Sequence, residues 1–140
     1  MRLLAAILLT TVPQPLVPTF IQNVVKAKAG ALAHVPTRAP FRYTYLSYSW
    51  NAWTRMLNIR FADRRYPLNG RHTFVFTVER FRGDCSVGNE KSQQLDGNKV
   101  YTAGDDLAWR CLNGVKVLAS GPNLPAVALG QVVASAKRVR

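Results

Sequence analysis

The stretch LAWRCLNGVKVLA (Leu107–Ala119) decides the fold, because it reads as a tight β-hairpin carrying one of only two cysteines. Asn113-Gly114 separates two apolar-rich arms, and both residues tolerate the positive φ of a type I′ turn. Opposed residues then share a face. One face holds Leu107, Trp109, Cys111, Lys116 and Leu118; the other holds Ala108, Arg110, Leu112, Val115 and Val117. The Trp109 face carries more large apolar surface, so it is expected to face the core, with Lys116 extending its stem past the turn.

Outward from the hairpin, the chain is dominated by strand patterns. FRYTYLSYSW (residues 41–50) is aromatic and β-branched, with Phe41, Tyr43 and Tyr45 on one face. MLNIRFA, from Met56, alternates Leu57, Ile59 and Phe61 against Asn58 and Arg60. RHTFVFTVERF (residues 71–81) is the longest clean strand. It points His72, Phe74, Phe76 and Val78 inward and Arg71, Thr73, Thr77 and Glu79 outward.

DRRYPLNG (63–70) between these two strands is a turn-rich loop, and residues 83–94 read as a second loop. Asp96-Gly97-Asn98 turns into a short strand, Lys99 to Thr102. Near the end, Asn123 and Pro125 suit a helix start, with Leu129, Val132, Val133, Ala136 and Val139 at helical spacing. The expected fold is mainly β: a small antiparallel sandwich or barrel-like domain with one disulfide and a C-terminal helix, α+β being the alternative.

Cys85 and Cys111 are an even pair in a short chain, which points to one disulfide and an oxidising compartment. Two cysteines and two histidines, His34 and His72, do not make a zinc ligand set at useful spacing, so neither metal nor cofactor is expected. At the amino terminus, Met1-Arg2 and LLAAILLTTV resemble the charged and apolar regions of a secretory signal. Residues 1–29 are read as that signal, cleaved before Gly30 or His34; 30–40 as a linker; and 41–140 as a single β-rich domain. Pro13, Pro15 and Pro18 interrupt the apolar run, so no transmembrane span is expected in the mature chain.

The formal net charge is +12, and its distribution is uneven. Residues 38–82 hold nine arginines, no lysine and only two acids, together with most of the aromatic side chains. Arginine pairs planar anions bidentately and stacks on aromatic faces. Arg60, Arg64, Arg65, Tyr66 and Arg71, on and between the Met56 and Arg71 strands, are therefore the candidate anion-binding set.

Arg82-Gly83-Asp84 spells an adhesion tripeptide that also serves as an ordinary loop, and Asp105-Asp106 lacks the further oxygen ligands of a cation site. The sequence points to an exported protein, secreted or periplasmic, with a binding or structural and non-enzymatic role in the cell envelope or secretome. Its partner would be an anionic polymer, a membrane surface or an acidic protein. The alternatives are a small secreted nuclease-like hydrolase using His72 or Glu79, and a cytosolic nucleic-acid-binding protein.

Overall fold

The computed structural model describes residues 14–86 and 91–140. Helix α1 (Thr19–Ala29) leads through a 3-10 turn (Gly30–Leu32) into β1 (His34–Val35). Strands β2 (Tyr43–Asn51), β3 (Met56–Asp63), β4 (Thr73–Arg80), β5 (Lys91–Leu95), β6 (Asn98–Ala103), β7 (Leu107–Leu112) and β8 (Val115–Ser120) follow, then helix α2 (Ala126–Ala134) and β9 (Lys137–Arg138). Strands β2 to β8 form one antiparallel seven-stranded sheet in the order β2-β3-β4-β8-β7-β6-β5, and β1 pairs with β9 in a separate ribbon. The protein is mainly β. The layer facing the large sheet comes from the helices and the 3-10 turn rather than from a second large sheet.

The alternation in β3 and β4 works as expected. Leu57, Ile59 and Phe61 lie opposite Val78, Phe76 and Phe74, all six essentially inaccessible to water. The Phe61 and Phe74 rings stack with centroids 4.8 Å apart. Burying each such side chain stabilises the fold by about 2 kcal/mol. A bulge between Tyr45 and Ser47 shifts the register of β2, so that Tyr48 and Trp50 join Tyr43 and Tyr45 on the covered face. Phe41 precedes the strand and is exposed.

The hairpin forms as expected, but its faces are reversed. Ala108, Val115, Val117 and Ala119 are buried beneath α2, whose Leu129, Val132 and Val133 pack onto them. The small side chains Ala108 and Ala119 let the helix approach closely, which outweighs the larger apolar area of the Trp109 face. Trp109 is nevertheless only 6% exposed, because the Cys85–Cys111 disulfide (Cα–Cα 5.9 Å) straps the chain over it. Its Nε1 donates to the Cys85 carbonyl at 2.9 Å, Tyr101 stacks against it, and the Lys116 ammonium lies 5.3 Å from its ring. In the turn only Gly114 has positive φ, so Asn113-Gly114 is not type I′; the residues with paired positive φ are Asp96 and Gly97.

Three further expectations are corrected. Strand β5, KSQQL, overlaps the expected 83–94 loop; it is a polar edge strand paired with β6, only its last residue, Leu95, packing against the core. Residues 30–40 are not a spacer throughout: Leu32, Ala33, His34 and Val35 are buried, and β1 is paired with β9. Helix α2 stops before Ala136. Ser135 Oγ donates to the Val132 carbonyl at 2.7 Å and accepts from the Thr37 and Arg38 amides, turning the chain into β9.

Helix α1 begins after Pro18 and ends at Gly30, whose φ of 59° breaks the helix. Ile21, Val25 and Ala29, spaced one helical turn apart, face the core, and Val17 just ahead of them is also buried. The residues expected inside a leader therefore overlap the hydrophobic core. The apolar run of residues 3–12 lies outside the described residues. Among the described residues, no helix is long and apolar enough to cross a membrane.

Candidate functional site

The candidate arginines are placed by β3, β4 and the loop between them. Asp63 ends β3 almost fully buried, and the Arg65 guanidinium reaches back to it. Nε donates to Oδ1 at 3.0 Å and Nη2 to Oδ2 at 2.6 Å. These hydrogen bonds hold the Asp63 carboxyl at about 2, against the cost of burial. Arg65 also lies over the Tyr66 ring, which stacks on His72 with centroids 3.7 Å apart. Arg65 and Tyr66 therefore latch the loop. The guanidinium fork expected to grip an external anion is already filled by Asp63.

The other three are less committed. Arg64 donates to the Tyr45 carbonyl at 2.7 Å, tying the loop to the β2 bulge. Arg71 is exposed, its own carbonyl accepting from the Asn123 amide group. Arg60 projects from the sheet face away from the helices and lines a hollow of 330 Å³ with Thr73, Ser120 and Asp106. The five residues thus divide into a latch, a tethered arginine and two exposed cations, not one pocket.

His72 and Glu79 do not form an acid–base pair. His72 stacks on Tyr66 just ahead of β4, whereas Glu79 lies on the opposite face of that strand, across from Met56 and Lys116. In the 82–84 tripeptide, the Asp84 carboxylate accepts from the Ser86 amide and hydroxyl, closing a local turn beside the disulfide.

A second basic site was not anticipated. Five segments meet at one end of the molecule around a cleft of 450 Å³. Arg55 comes from the β2–β3 turn, Arg80 from the end of β4, Asn113-Gly114 from the β7–β8 turn, and His34 and Arg138 from the β1–β9 ribbon. Among the described residues, no carboxylate lines it. His34 is directly opposite Arg138 in the ribbon register and is 7% exposed, and its Nδ1 is buried without a hydrogen-bond partner among the described residues.

Burial pushes the His34 pKa down and the charges of Arg138 and Arg110 push it further. The Leu32 carbonyl opposes this without making a hydrogen bond of normal geometry. Arg110 itself lies beneath the end of α2, donating to the Ala134 carbonyl at 3.0 Å and more loosely to those of Val133 and Ala136. Desolvation lowers its pKa, and the carbonyl end of the helix compensates the buried cation.

No protein-family model matches this chain, and no curated protein is detectably similar to it. The functional reading therefore rests on these two basic regions. The first was visible in the sequence as clustered arginine. The second has no local signature, because positions 34, 55, 80 and 138 are brought together only by the sheet order and the β1–β9 ribbon.

Proposed function

We propose that this is an exported, non-enzymatic binding or structural protein of the cell envelope or secretome, secreted or periplasmic, that engages an anionic polymer through exposed arginines and aromatics. The observation that carries the reading is the shortage of acidic partners for its cations. Among the described residues only Arg38 and Arg65 lie within ion-pair distance of an acid, while Arg42, Arg60, Arg64 and Arg71 are exposed. Exposed aromatics sit beside this charge: Arg42 stacks over Phe41 at 5.0 Å, and Trp53 at the β2–β3 turn is 97% exposed. Such a surface draws in polyanions by long-range attraction and holds them by bidentate and stacking contacts. The disulfide supports an oxidising compartment.

Retention on a sulfated polysaccharide resin, measured against salt, tests the reading. The triple variant Arg60→Gln, Arg64→Gln, Arg71→Gln is expected to elute at markedly lower salt than a variant of equal net charge, Lys91→Gln, Lys99→Gln, Lys137→Gln. Arg65 is left intact because it holds Asp63. Equal elution of the two variants would reduce the attraction to bulk charge and refute a specific arginine surface.

A further inference from the structure

The cleft around His34 differs in kind from the open arginine surface. Its three arginines, Arg55, Arg80 and Arg138, are exposed like those of the loop, but they border one concavity with a histidine that is almost wholly buried. Among the described residues no acid lines the cleft. The two ion pairs among the described residues, Arg38 with Asp96 and Arg65 with Asp63, involve none of its arginines. Like charges converging on a concave surface repel one another, and a low-dielectric wall strengthens the repulsion. A concave surface bordered by three cations and, among the described residues, no acid concentrates positive potential, and a bound anion offsets it.

We propose that this cleft is a discrete site for a tetrahedral oxyanion of the phosphate class, either free phosphate or the phosphate group of a small monoester, gripped by Arg55, Arg80 and Arg138 over His34. Guanidinium groups match the oxygen edges of phosphate in pairs, and three of them from three separate segments can surround a dianion on different sides. The 450 Å³ volume exceeds what one phosphate occupies, which leaves room for a short esterified group toward Asn113. This site goes beyond the polymer-binding surface: it is made of other residues and needs a small ligand rather than an extended one.

The bound dianion also changes the field at His34. The charged groups around the ring are Arg138 and Arg110 by direct influence, with Arg55 and Arg80 along the same cleft, all of one sign. A dianion among them reverses that influence, so binding raises the His34 pKa and protonation of His34 tightens binding.

The test is calorimetric titration of the whole oxidised chain with inorganic phosphate, and separately with glycerol phosphate, at constant ionic strength. Histidine-selective NMR follows His34 in the same samples. Saturable binding, weakened about tenfold or more in Arg80→Gln and in Arg138→Gln, is expected. Both positions are exposed, so these variants keep the fold. The His34 titration should move upward on saturation, and the Arg60→Gln, Arg64→Gln, Arg71→Gln variant should bind phosphate as the parent does. Tighter binding of glycerol phosphate than of phosphate identifies a monoester as the ligand class; the reverse order identifies free phosphate. Absence of saturation, undiminished affinity in both cleft variants, or a His34 titration indifferent to phosphate overturns the proposal. Each of those results leaves retention on the polyanion resin to be judged by its own variants.

Discussion

Asp63 and His34 are both buried ionisable groups, and they respond to acid for opposite reasons. Asp63 keeps its charge because Arg65 hydrogen-bonds it, so its folded pKa, about 2, lies below the ordinary 3.8. Its contribution to stability is therefore complete above about pH 4 and is lost as the pH falls towards 2. The variant Asp63→Asn should be less stable than the parent at neutral pH, and its unfolding midpoint should be flatter across that acid window, as followed by circular dichroism. His34 is instead held neutral by burial and by neighbouring cations, with a folded pKa below 6.5. An unfolded chain takes up that proton more readily, so stability declines as the pH falls through the ordinary histidine range. Urea midpoints from about pH 7.5 to about 5.5 should show that slope in the parent, with less of it in His34→Gln.

At the scale of elements, the close approach of α2 and of the β4–β8 pair sets limits that two glycines report. A Cβ at Gly121 would come within 2.8 Å of Phe74 Cβ and 3.1 Å of the Thr73 carbonyl, both anchored in the sheet. Gly121→Ala should cost about 1–3 kcal/mol in urea unfolding. A Cβ at Gly130 crowds just the tip of Leu95, at 2.9 Å, a side chain able to turn aside, and meets Val100 Cγ1 at an ordinary 3.4 Å. Gly130→Ala also gains helix propensity of about 1 kcal/mol, so it should lie within about 0.5 kcal/mol of the parent or above it.

The end of α2 depends on Arg110. Replacing that guanidinium by Met removes the shorter side-chain bond to the Ala134 carbonyl, leaving it only Asn98 Nδ2 at 3.3 Å, and withdraws the cation from the end of the helix. A loss of about 2 kcal/mol is expected, with faster amide exchange confined first to the last turn of the helix.

For the whole molecule, two constraints join distant parts of the chain. The disulfide spans 26 residues, and cross-linking a loop of that length stabilises the folded state by about 3.5 kcal/mol on chain-entropy grounds. Reduction should lower the thermal midpoint and expose Trp109, visible as a red-shifted and more quenchable fluorescence. The second constraint is the amino-terminal segment. Val17, Val25 and Ala29 are buried in the same core as the sheet, so a chain beginning at Gly30 should unfold at lower temperature than one that includes α1. One beginning at His34 should fare worse, since Leu32 and Ala33 are then lost as well. Equal midpoints for all three would show that α1 adds nothing to the fold.

Much of the sheet was legible because two-residue alternation is a local property: Leu57, Ile59 and Phe61, or Phe74, Phe76 and Val78, declare their face without reference to anything distant. The cysteine pair and the excess of arginine were legible as composition. Local pattern could not say which face of the Leu107–Ala119 hairpin would be covered, since both carry apolar residues and the choice waited on where α2 came to rest. Nor could it detect β5, whose four polar residues show no apolar alternation and are placed by pairing with β6. The division of the arginines was equally non-local. Arg65 became a partner of Asp63 through loop geometry, while Arg55, Arg80 and Arg138 became neighbours through strand order and the β1–β9 ribbon. Sequence by itself determined the alternating strands, the cross-link and the charge; tertiary structure decided which charges converge, because convergence depends on distances in space that no short stretch of chain encodes.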